Sequence, residues 1–231
     1  MPAPSNVDVA ADAVRDAIVR GRFKPGERIK EIPLAAELDI SRGPIRDALR
    51  KLERDGIVEV IPNRGAVVPE IRAVDVLEVY ALRAALGSLA LHKLFLEEAV
   101  PVPALERTLE RLRRAVERGQ ADRAADADLA YQSQVVASSG LHRVAGEFDR
   151  LTWQVRIFIV ALDLTLVDKL PLILAEMEAL HAALLAGAGA DALWREKYER
   201  WVRTLVERLP EPFDEPLWAA LTAGRARGAT P

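Results

Sequence analysis

Cysteine is absent from the 231-residue chain, and that absence removes disulfides, thiolate nucleophiles and Cys-ligated zinc together. It suits a reducing compartment, and a cytoplasmic protein is expected. Histidine is scarce, with three residues, and aromatics make up only 5%. No apolar run approaches the roughly 18 residues that a membrane-crossing helix needs. The start, Met1 to Val7, lacks a basic segment followed by an apolar one, so no signal peptide is read. Neither a Gly-rich phosphate loop nor a nucleophile elbow is found. Enzymatic chemistry has little to work with here.

What is present points to helices. Half of the residues are hydrophobic, enough for a sizeable core, and alanine, leucine, arginine and glutamate favour helix. The net charge of −3 and pI near 5.8 argue against nucleic acid until the charges are located. From Ser41 to Arg54 five basic residues (Arg42, Arg46, Arg50, Lys51, Arg54) face two acidic ones (Asp47, Glu53), a local net of +3. A basic element sits on an acidic protein.

Periodicity predicts a first helix from about Val7 to Arg20, ended by the Pro25-Gly26 turn. A short helix follows around Pro33 to Leu38. Ser41 is placed to cap a third helix, Arg42 to Asp55, with Pro44 in its first turn and Gly56 at its end. Ile57 to Ile61 and Ala66 to Val68 read as strands joined by the turn Pro62 to Gly65. These elements outline a winged helix-turn-helix over residues 1–69, with a linker at 70–73. The remainder, 74–225, reads as an all-α antiparallel bundle. Its helices are expected near 73–98, 103–118, 121–138, 141–166, 170–187, 190–208 and 213–224. In the helix 141–166, Val144, Phe148, Leu151 and Val155 form one apolar stripe. Trp153, Ile157, Val160 and Leu164 form another, so this helix is central or shared with a partner subunit.

On the third helix Ile45, Ala48, Leu49 and Leu52 share a docking face, while Arg42, Arg46, Arg50 and Arg54 drift round another. The basic stripe suits the major groove. Arg46 and Arg50 are placed for base edges, where arginine pairs with guanine O6 and N7. Arg42 and the Ser41 hydroxyl are placed for phosphate, and Arg64, beside Gly65 at the ribbon tip, for a minor groove. Any single arginine here is read as a solvated residue; the agreement of cap, stripe, helices and ribbon is what argues for DNA.

The stretch Gly21 to Val68, and above all SRGPIRDALRKLERDGIV (Ser41 to Val58), resembles the N-terminal domain of the GntR family of bacterial repressors. The resemblance implies that Arg42, Arg46, Arg50 and Gly65 face double-stranded operator DNA. Gly43 departs from the family's usual Thr or small polar residue. One winged helix reads few base pairs, so a homodimer on a pseudo-palindromic site is expected.

In the helical remainder, polar residues interrupt apolar stripes. Arg83 falls among Val76, Val79, Tyr80, Leu86 and Ala90, with Gly87 opening space one turn on. Asp128 and Gln132 are i,i+4 neighbours amid Ala124, Ala125, Tyr131, Val135 and Val136. His181 lies among Leu174, Met177, Leu184 and Leu185. Buried unpaired, each would cost several kcal/mol, so they satisfy one another, water or a ligand. An Arg83–Asp128 salt bridge is the simplest structural explanation; an effector site is the functional one.

Most of Val74 to Leu209 resembles, more loosely, the helical ligand-binding (FCD) domain of FadR-like GntR regulators. The resemblance implies a small-molecule effector, commonly an organic acid, with Arg83 near its carboxylate. Many such members hold a divalent metal through one Asp and three His. Here Asp128 and His181 match two of those ligands, but Gln132 replaces one His, and WREKYERWVRTLVERL (Trp194 to Leu209) contains none. Arg203 lies on that helix's wet side. Gly87 and Leu141 depart from a frequent Glu and Asn, and His92 and His142 read as surface residues. No cofactor and no tightly bound metal are expected. The function read is a ligand-responsive DNA-binding regulator, as a repressor. The alternatives are an enzyme using Asp128 and His181 as an acid–base pair, and an architectural DNA-binding dimer without effector.

Overall fold

A computed structural model describes residues 5–98 and 100–223. The residues before Ser5, the last residue of the helix expected at 213–224 and the domain end expected at 225 lie outside them. The chain divides into two compact units. One is the chain up to Arg72 together with Trp153–Asp163; the other is Ala73–Thr152 and the chain from Leu164 on.

The first unit contains α1 (Asn6–Val19), α2 (Glu31–Leu38), α3 (Arg42–Arg54), β1 (Glu59–Ile61) and β2 (Gly65–Val67). The Ser5 side chain caps α1 by accepting from the Asp8 amide, and α2 ends at Asp39, which takes the left-handed conformation. Gly56 follows α3 with φ 69°, a backbone state that costs glycine nothing. The strands pair antiparallel, Glu59 with Val67 and Ile61 with Gly65, and Arg28 bridges to Val67. Ala10, Val14, Ile18, Leu34, Ile45, Leu49, Leu52 and Ile57 form the core, with Lys51 reaching Asp8 at 2.7 Å across α1 and α3.

The second unit is built on α4 (Ala73–Leu96), α5 (Val102–Glu117), α6 (Ala121–Ser138), α7 (His142–Ala161), α8 (Leu170–Ala186), α9 (Ala190–Val206) and α10 (Glu215–Thr222). α4 packs on α6, α9 and α10, while α8 packs on α5, α6 and α9. α7 stops five residues short of the expected end at 166, because Asp163 turns to φ 47°. A short 3₁₀ turn, Val167–Lys169, precedes α8.

α7 belongs to both units. Phe148 and Leu151 are buried before the division at Thr152, whereas Trp153, Ile157 and Ala161 join the winged-helix core. The Arg15 guanidinium lies 4.8 Å from the Trp153 ring centroid, and the Gln154 amide donates to the Asp55 carbonyl at 2.9 Å. The second apolar stripe, compatible on sequence grounds with subunit pairing, is thus largely taken up by the chain itself. Trp153–Asp163, assigned by sequence to the helical domain, packs with the winged helix because its stripe matches that core.

Candidate nucleic-acid interface and interior polar site

The 3.6-residue period sorts α3 into two faces. Ile45, Ala48, Leu49 and Leu52 are buried, while Ser41, Arg42, Arg46 and Arg50 are exposed and Pro44 is half-buried in the first turn. Ser41 stands at the N-cap position, but its hydroxyl makes no capping bond and remains available to an external acceptor. A Cβ on Gly43 would meet nothing within 4 Å, so the fold does not demand glycine there. Arg64 is exposed at the turn of the ribbon, and Gly65 beside it has φ 83°. Two residues not singled out in the sequence join this surface. Arg28, exposed, places its guanidinium 3.5 Å from where a Cβ on Gly65 would stand. Glu31 sets one carboxylate oxygen 3.6 Å from Arg42 and 3.5 Å from Arg46.

The interior of the second unit holds one connected polar network. Arg83, 1% exposed, donates to the Phe148 carbonyl at 3.2 Å, to the Thr152 hydroxyl and to Gln132 Oε1 at 2.9 Å. Its guanidinium lies 4.0 Å from the Phe148 ring centroid. Gln132 Oε1 also accepts from the Tyr198 hydroxyl at 2.7 Å, and its amide donates to Asp128 at 2.9 Å. Asp128 then pairs with the Lys197 ammonium at 3.1 Å, which pairs with Glu176 at 3.0 Å. Glu176 also accepts from the Trp201 indole at 2.8 Å and from Arg200. Burial pushes the Asp128 carboxyl above its ordinary range, with the Lys197 charge opposing that shift. Arg83 meets Asp128 through Gln132, in place of the direct salt bridge.

His181 stands apart from this network. Its Nδ1 lies 2.9 Å from the Tyr131 hydroxyl, so the structure brings together Arg83, Asp128 and Gln132 but not His181. An Asp128–His181 acid–base pair is not formed. Burial lowers the His181 pKa below its ordinary 6.5, so the folded state favours the neutral ring. That contribution is full above the unfolded pKa and is lost as pH falls from about 6.5 through the lowered folded value. Thermal melts of His181→Gln across pH 7.5 to 5 should therefore lose less stability than wild type. Parallel profiles would show that the ring is already solvated.

The space that Gly87 opens is filled. Trp194, fully buried, lies over Gly87 and packs against Phe148 and Tyr198, with centroids at 5.9 and 5.2 Å. Its indole N–H has no acceptor among the described residues. A groove of about 500 Å³ opens elsewhere, between α4, α9 and α10, lined by Ala85, Ser88, Leu89, His92, Trp218 and Leu221. None of the four candidate effector residues lines it.

The model of bacterial regulatory proteins of the gntR family matches residues 6–68. An uncharacterised HTH-type transcriptional regulator of Bacillus subtilis, YdhC, is 39% identical over 111 residues. That match takes in 47% of this chain and 49% of the relative, so the chain spans about half of that protein. An uncharacterised HTH-type transcriptional regulator of Agrobacterium vitis, from the ttuE-ttuC' intergenic region, is 32% identical over 136 residues, covering 57% of this chain and 79% of its own length. This chain belongs to the gntR family. The crystal structure of a transcriptional regulator GntR from Rhodococcus sp. RHA1 matches with TM-score 0.77 at 25% identity, covering 88% of this chain and 99% of that one. The gntR likeness in fold thus extends through the helical unit.

For the divalent metal that many FadR-like members of the gntR family hold, the residues present do not fit. Among the described residues no group of three His, Cys, Asp or Glu is placed to hold an ion. Asp128 faces an amide and an ammonium, and a divalent cation there would adjoin the Lys197 charge. Lys197 escaped the sequence reading although the signal existed: it lies three residues after Trp194 and four before Trp201, on the buried face of α9. Among the described residues no helix is long and apolar enough to cross a membrane.

Proposed function

We propose that this gntR-family chain is a DNA-binding transcriptional regulator, acting as a repressor, that reads its operator with α3. The exposed Arg42, Arg46 and Arg50, opposite a fully buried docking face, carry this reading. Arg64 and Gly65 of the ribbon, with Ser41 at the head of α3, supply the flanking contacts. Arg46→Ala is expected to cost about 1–3 kcal/mol of specific binding, and Arg50→Ala a similar amount. Titration on a selected operator and on random duplex at fixed salt checks it. Equal losses on both would demote the residues to phosphate contacts, and no loss on either would remove α3 from the interface.

The helical unit is read as a FadR-like sensor of a small organic acid, without a tightly held metal. The reading is supported by buried donors without anionic partners. The Arg83 guanidinium donates only to neutral oxygens, and in the same helical unit the Trp194 N–H finds no acceptor among the described residues. An entering carboxylate would take the guanidinium fork in two parallel bonds, displacing Thr152 and Phe148 of α7 as its partners. α7 also carries Gln154, which holds the Asp55 carbonyl at the end of α3. A tenfold change in DNA affinity needs only about 1.4 kcal/mol of difference between states. Thermal-shift screening of small carboxylates, repeated on Arg83→Met, tests the site; an unchanged shift in the variant would exclude it.

A homodimer matches the two-fold operator such a reader requires. α4 leaves Leu82, Leu89 and Leu96 at 50%, 50% and 82% exposure, spaced by seven along one face, with Leu221 of α10 at 41%. Leu82→Asp combined with Leu89→Asp should sediment as a monomer. A monomeric wild type would end the dimer reading, whereas dimers in both would move the interface elsewhere.

A further inference from the structure

Glu31 places an acid among the residues assigned to DNA. A single carboxylate oxygen serves the guanidinium groups of both Arg42 and Arg46, at 3.6 and 3.5 Å. Both arginine side chains are more than half exposed, at 59% and 55%, while that of Glu31 is 28% exposed. As the first residue of α2, Glu31 has an ordinary use near the positive end of the helix dipole. Its carboxylate nonetheless lies within reach of two arginines of the next helix. In water such exposed pairs contribute little to stability, so stability is a poor reason for the arrangement. A negative charge beside a phosphate-lined groove also opposes binding to any DNA. What remains is selection among sequences.

We propose that Glu31 is a specificity-determining residue of DNA reading. Resting on the assignment of α3 as the reading helix, the inference gives the carboxylate two effects. It holds the Arg46 fork where bidentate pairing with a base edge is possible, lowering the ordering that the base contact must otherwise supply. It also disfavours complexes in which Arg42 and Arg46 swing out to the phosphates, where no sequence is read. Both effects weaken non-specific binding more than specific binding.

Three proteins separate these effects on two duplexes, one selected by the wild-type chain from randomised DNA and one of random sequence, each titrated across salt. Glu31→Gln should bind random DNA more tightly at low salt. Its log affinity should fall more steeply with log salt, by about one phosphate contact's worth. Its ratio of specific to random affinity should drop by about tenfold, the order of one bidentate base contact. Glu31→Asp keeps the charge but shortens the reach, so its salt slope should match wild type while its ratio stays reduced. A Glu31→Gln ratio equal to wild type overturns the proposal. So does an equal loss on both duplexes with a lowered melting temperature, which would leave Glu31 as a helix-end residue only. Arg46→Ala, run alongside, tells the two failures apart. If it binds the selected duplex as wild type does, the reading of α3 itself fails; if it loses that binding while Glu31→Gln keeps its ratio, only the role of Glu31 fails.

Discussion

Lys197→Met is expected to destabilise the protein by about 3–5 kcal/mol, the usual consequence of removing one partner from a buried ion pair. The Lys197 side chain is 6% exposed and stands between Asp128 and Glu176, whose side chains are 13% and 9% exposed. Methionine fills nearly the same length without the charge, so the loss reports carboxylates deprived of their shared ammonium and not a cavity. Arg200 at the rim and the Trp201 indole still serve Glu176, which leaves Asp128 the more exposed to the change. Without the ammonium the Asp128 carboxyl, already raised by burial, rises further. A carboxyl raised in the folded state stabilises below its unfolded pKa and loses that contribution as pH rises through the folded value. The gap between variant and wild type should therefore narrow as pH falls from 7 toward 4. Urea unfolding at several pH values checks both the size and the trend. Adding Asp128→Asn and Glu176→Gln should recover much of the loss, because neutral hydrogen-bonded partners replace a broken pair. A loss under about 1 kcal/mol at pH 7, typical of solvated pairs, would show that water reaches the network.

Gly87→Ala is expected to destabilise by about 1–2 kcal/mol net, although alanine is the better helix former by about 1 kcal/mol. A Cβ at this position would lie 2.1 Å from Cε2 and Cζ2 of Trp194 and 2.3 Å from its Nε1. Those atoms belong to a rigid bicyclic ring wedged between Phe148 and Tyr198, so they cannot yield as the end of a flexible side chain would. Overpacking of this kind typically costs about 1–3 kcal/mol and sometimes more, which exceeds the propensity gain. The displaced indole should also change its near-ultraviolet circular dichroism. Trp194→Phe added to Gly87→Ala should restore part of the stability by shrinking the ring. Were Gly87→Ala more stable than wild type, the indole would not be seated on this glycine.

Much of the architecture follows from local pattern. The alternation of Ile45, Ala48, Leu49 and Leu52 with Arg42, Arg46 and Arg50 fixes both faces of α3, because a helix repeats every 3.6 residues whatever surrounds it. The prolines and glycines likewise mark where α5, α8 and α10 begin and where α3 ends, since ring closure and the missing Cβ act on the backbone directly. Periodicity also shows which polar residues enter the core, and Arg83, Gln132 and His181 are all buried. It does not show which of them meet. Gln132 lies on α6 between Arg83 of α4 and Tyr198 of α9, whereas His181 turns to Tyr131 on the same α6. Partnership depends on how helices distant in the chain rotate against one another, and each helix alone leaves that rotation open. The same holds for Trp194, whose side chain fills the space above Gly87, and for Trp153 to Ala161, whose apolar stripe finds the winged helix. Lys197 shows the limit most plainly. Its position among Trp194, Tyr198 and Trp201 marks it as facing inward, but only the approach of α6 and α8 supplies Asp128 and Glu176. The sequence by itself determined the elements, their faces and the basic stripe of α3; the tertiary structure alone decided which buried charges neutralise which, because that depends on distances of a few ångströms between separate helices.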